Sequence, residues 1–97
     1  MAGAKGGIRI MPWFRREDYR TFVVLAPRDP DLPPSFDLWL KQASKDVEKE
    51  EARGRVCKKV VVDPNECARW CQATKMPVNY ATIRGYAIAK ALQERDE

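Results

Sequence analysis

Phe36, Trp39, Leu40, Ala43 and Val47 fall at i, i+3, i+4, i+7 and i+11, a spacing that a helix places on one face. Ser35 ahead of them is suited to cap that helix, and Asp37 in its first turn favours the positive end of the dipole. Gly54 suits the left-handed position after its end. The second half, KDVEKEEAR, is nearly all charged and is expected to project into water. An earlier helix is expected over Arg16 to Ala26, with Tyr19, Phe22 and Val23 on one face and Pro27 as its stop. Between the two, RDPDLPP has too much proline for a helix and reads as an ordered connection.

The stretch RVCKKVVVDPNECARW changes period midway. Val56, Val60, Val61 and Val62 favour a pleated strand over residues 55–62 because their χ1 is stiff. Asp63 then caps a helix that Pro64 opens, running to about Thr74. Met76-Pro77-Val78 forms a turn, and Asn79 caps a last helix reaching about Arg95. A lone strand leaves its backbone groups unpaired, so Ile8–Met11, which alternates, is expected to pair with it, in preference to the strand of a second subunit. The fold class is therefore α+β, mostly helical, in the order (β)-α-α-β-α-α with one or two short strands. Met1 to Gly7 is small and glycine-rich. Residues 1–10 read as a flexible N-terminal extension, with Met11 a second candidate start, and residues 11–97 as a single domain.

The net charge of +4 changes the picture little, because acidic side chains are interleaved with basic ones throughout the chain. Such a pattern describes a solvated surface, and phosphate recognition normally needs clustered positive charge, so nucleic acid is a disfavoured partner. No apolar run approaches the roughly 20 residues of a membrane span, and the start has no apolar signal segment. A cytoplasmic protein without membrane contact is expected.

Histidine is absent, which removes Ser-His-Asp and Cys-His nucleophile arrangements and most catalytic zinc sites. No glycine-rich phosphate loop is present either. Cys67 and Cys71, four apart, share a helix face with Cys57 in reach, but a fourth soft ligand is lacking and small buried thiols are the expected reading. Asp63 and Glu66 read as helix-start carboxylates, and Asp29 and Asp31 lack the further oxygens that calcium needs. No catalytic residue, cofactor or metal is expected. Trp39 and Trp70 are expected in the core on opposing helices. Ala81, Gly85 and Ala89 make a small-residue stripe that points to close approach of another helix of the chain.

MPWFRREDY, LPPSFDLWL and VVVDPNECARWCQ resemble a family of short bacterial proteins that begin MPW and carry LP-x-(S/T)-F/Y-x-x-W-L and V-x-V-D-P-x-E/D-F-x-x-W-C. The resemblance covers about residues 11–78 and implies a bacterial cytoplasmic origin; it brings no assigned activity. Cys67 stands where the family has an aromatic, which suits a core filler. The order of strand, helix, Asn79 turn and helix also resembles a ribbon-helix-helix DNA-binding unit, in which Arg55, Lys58 and Lys59 would read bases. Against that, Lys58 and Lys59 point to opposite faces and two helices precede the strand. The favoured reading is a small non-enzymatic, protein-binding or regulatory module, with Trp13, Phe14, Arg15 and Arg16 as its contact residues and a homodimer as one arrangement.

Overall fold

A computed structural model describes residues 7–95. The elements are β1 (Ile8–Trp13), α1 (Arg16–Leu25), α2 (Phe36–Ala52), β2 (Val56–Val61), α3 (Pro64–Ala73) and α4 (Tyr80–Arg95). The fold is α+β and mostly helical: four helices and two parallel strands in the order β-α-α-β-α-α. β1 pairs with β2 from Ile8 opposite Val56 to Trp13 opposite Val61. Parallel neighbours need a crossover, and α1 and α2 supply it. Among the described residues, no helix is long and apolar enough to cross a membrane.

The partner of β2 is thus the N-terminal segment of the same chain. Ile8, Arg9 and Ile10, read as part of an extension, belong to β1, while the rest of that extension up to residue 6 lies outside the described residues. β1 also continues through Pro12, a residue a strand tolerates only where no ladder hydrogen bond is required of it.

The helix boundaries follow from their caps. Ser35 Oγ accepts from Leu38 N, and Asp63 Oδ1 accepts from the backbone N–H groups of Asn65 and Glu66. Asn79 Oδ1 accepts from Thr82 N while Thr82 Oγ1 accepts from Asn79 N, a reciprocal box that starts α4. Gly54 closes the turn after α2 at φ 83°.

One contiguous core runs past the sheet. On one side the Trp39 ring lies 4.9 Å from Trp13, 5.0 Å from Phe14 and 5.3 Å from Phe36. The pairs with Trp13 and Phe14 are edge-to-face, a geometry that adds about 0.5–1.5 kcal/mol each beyond area burial. Tyr19 joins this group and donates its hydroxyl to Pro33 O at 2.6 Å, which ties the proline-rich connection to α1. On the other side Val60, Val62, Cys67, Cys71, Ile83, Ala87 and Ala91 are buried.

Three expectations change here. The buried stripe of α4 is Ile83, Ala87 and Ala91 and Ala81 is exposed, while Gly85 does meet another helix of the chain, at the Trp70 ring of α3, where an added Cβ would sit 3.5 Å from it. Trp70 is half-buried against Tyr86 and does not oppose Trp39, whose aromatic neighbours all lie elsewhere. In the charged half of α2, Glu50 is 5% exposed and turns inward.

Candidate partner-binding site

The outer edge of β1 follows from its hydrogen-bond phase. Val56 N–H donates to Gly7 O at 2.8 Å and Val62 N–H to Trp13 O at 3.1 Å. In parallel pairing of this register, Gly7, Arg9, Met11 and Trp13 turn their backbone groups towards β2. Ile8, Ile10 and Pro12 therefore turn theirs outward. Pro12 has no N–H to offer, so its placement costs the ladder nothing and closes the edge beyond Ile10 to further donors.

A depression of about 370 Å³ runs beside this edge, lined by Gly7, Ile8, Arg9 and Ile10 along β1 and by Arg55, Arg84 and Ile88. Gly7 precedes the strand, and Ile8, Arg9 and Ile10 alternate between its two faces, so a depression touching all of them follows the strand edge. In its lining Ile8 is 68% exposed and Ile88 37%, whereas Ile10 is half-buried against the core. Exposed apolar residues rimmed by charge mark interaction surfaces.

The charge beside the edge is organised by Glu50. Its Oε2 accepts from Arg9 Nη1 at 2.8 Å and its Oε1 from Arg55 Nη1 at 2.9 Å, so α2 holds β1 and the entry to β2 together. Burial alone pushes the Glu50 carboxyl up, but the bonds from Arg55 and Arg9 outweigh it and its pKa lies below the ordinary carboxylate value. Arg84 is exposed on α4 and has no ion-pair partner among the described residues.

The residues expected to contact a partner do not form one surface. Phe14 is 2% exposed and belongs to the core, which removes it from any contact face. Trp13 is half-buried, edge-on to Trp39, with Lys59 Nζ 4.5 Å from its ring centroid. Arg15 binds Asp18 and reaches Asp63 at 3.4 Å, whereas Arg16 binds Asp37 at 3.0 Å and lies over Phe36. Of the strand residues suited to DNA, Arg55 is held by Glu50, Lys59 lies on Trp13, and Lys58 is exposed. One edge of β2 is occupied by β1, so a two-subunit ribbon has only the other edge, where Lys90 Nζ already binds Val61 O at 3.0 Å.

Groups suited to chemistry are spent on structure. Burial and neighbouring Cys71 push the Cys67 thiol up to about 12, and burial and the bond to Glu66 raise the Tyr86 hydroxyl. Asp63 lies below its ordinary value through the Glu66 N–H bond above all, the signature of a helix cap. Asp29 binds the N–H groups of Asp31 and Tyr80. Among the described residues, no group of three or more His, Cys, Asp or Glu could hold a metal ion. A second depression of about 270 Å³ opens between Met11, Trp39, Asp31, Asp46 and Tyr80.

Arg9, Glu50 and Arg84 carry no local sequence signal; only the alternation of Ile8-Arg9-Ile10 hinted at an edge. No known family model, curated protein or solved structure matches the chain.

Proposed function

We propose that the protein is a small non-enzymatic module that associates with another polypeptide by adding a strand to the open edge of β1 at Ile8 and Ile10. The observation that carries this reading is the outward phase of those two residues beside a depression along the strand. Main-chain hydrogen bonds supply affinity in such augmentation, and flanking side chains supply selectivity. Exposed Ile8 supports it, since its side chain loses water when a guest covers it. The missing histidine and the high pKa of the Cys67 thiol support a non-catalytic role, because a protonated buried thiol is a poor nucleophile. The resemblance carried by MPWFRREDY and VVVDPNECARWCQ supports a bacterial cytoplasmic setting.

The test is a variant that removes one outward N–H without touching the ladder. Ile8→Pro does so at an exposed position. Affinity capture with the tagged full chain from a nuclease-treated bacterial lysate should retain a partner with the native protein and lose it with Ile8→Pro, at an unchanged melting temperature. Equal retention by Ile8→Pro, or a partner that disappears with nuclease, contradicts the reading.

A further inference from the structure

Resting on the strand-addition reading, we infer that the guest strand is acidic: a carboxylate side chain seats beside Arg84, against the guanidiniums of Arg9 and Arg55. Three arginines line the depression and no carboxylate shares that lining. The nearest acid, Glu50, has spent one oxygen on Arg9 and the other on Arg55. Each of those arginines commits only Nη1 to it, so further N–H donors remain on both. Arg9 Nε is buried without an acceptor, the one such side-chain atom among the described residues. In the lining itself three guanidiniums stand without a carboxylate, while Asp31 and Asp46 lie towards Tyr80 and Glu51 towards Cys57, so a guest carboxylate meets positive charge first.

Arginine forks match carboxylates in a planar, paired geometry, which a guest strand with glutamate at alternate positions presents along one face. A second copy of this chain fits less well. Its β1 would bring Arg9 towards the same arginines, and two-fold pairing would meet Pro12 twice, losing a donor each time. A phosphate-bearing chain would satisfy the charge but does not add a strand, and Ile8 and Ile88 in the lining favour a polypeptide with alternating apolar side chains.

The experiment titrates the isotopically labelled full chain with three blocked hexapeptides, alternating valine with glutamate, with lysine or with threonine, and in a separate arm with a single-stranded oligonucleotide. Amide shifts of Ile8 and Ile10 are the readout. The glutamate peptide should bind roughly tenfold tighter than the lysine peptide, a difference of about 1.4 kcal/mol. Arg84→Glu, at an exposed position, should abolish or invert that preference, while Arg84→Lys retains most of it. Equal affinity for all three peptides overturns the acidic guest and leaves strand addition standing. Shifts from none of them overturn strand addition itself. Self-association through Ile8 and Ile10 without any peptide, or tighter binding of the oligonucleotide at the same amides, overturns the inference in favour of a second copy or of nucleic acid.

Discussion

Asp29 caps a helix that starts far along the chain: its Oδ2 accepts from the backbone N–H of Tyr80 at 2.6 Å, across 51 positions. Its Oδ1 meanwhile accepts from Asp31 N, so one carboxylate fixes the proline-rich connection and the first turn of α4 together. Replacing a capping carboxylate by alanine typically costs about 0.5–2 kcal/mol. Asp29→Ala should fall in that range in urea unfolding, and Asp29→Asn, which keeps an acceptor, should lose less. Asparagine keeps only one of the two acceptors, so equal losses would show that both oxygens are needed at once.

Glu50 gives the acid response of the sheet. Its folded pKa lies below the ordinary value of 4.5, so its contribution to stability is complete above that pH and is lost as pH falls through the lower folded value. Asp63, lowered from 3.8 at the cap of α3, acts with the same sign. Glu50→Gln should lower the melting temperature by several degrees at pH 7 and flatten the dependence of melting on pH below about 4.5. A variant that melts like the native protein at both pH 7 and pH 3 would mean that the Arg9 and Arg55 bonds contribute nothing.

The two tryptophans should separate. Trp39 is 4% exposed and surrounded by four aromatic rings, so Trp39→Ala should cost about 3–5 kcal/mol in equilibrium unfolding. Trp70, half-buried over Gly85, should cost clearly less when truncated. Equal losses would place Trp70 in the core after all.

Much of the architecture is written locally. Ser35, Asp63 and Asn79 each announce a helix start because a capping side chain bonds within three residues of itself, and the valines before Asp63 announce the strand. What local pattern does not carry is what depends on distant partners. Glu50 looks like one more surface acid of KDVEKEEAR until β1 and Arg55 bring their arginines to it. Phe14 looked exposed beside Arg15 and Arg16, yet the aromatic group of α1 and α2 closes over it. Pro12 hid the length of β1, since a proline argues against a strand unless its missing N–H faces away from the ladder. Arg84, on an exposed helix face, has no signal at all in the sequence.

Among the described residues β1 is paired on one side only, and the outward backbone groups of Ile8 and Ile10 have no strand partner. Native-state amide hydrogen exchange of the isolated protein, read residue by residue, tests it most directly. Arg9, Met11 and Trp13 should be protected by the ladder, while Ile8 and Ile10, alternating with them, exchange at least tenfold faster. Protection of Ile8 and Ile10 equal to that of Arg9 and Met11 would mean that the edge is already covered, and would contradict the account.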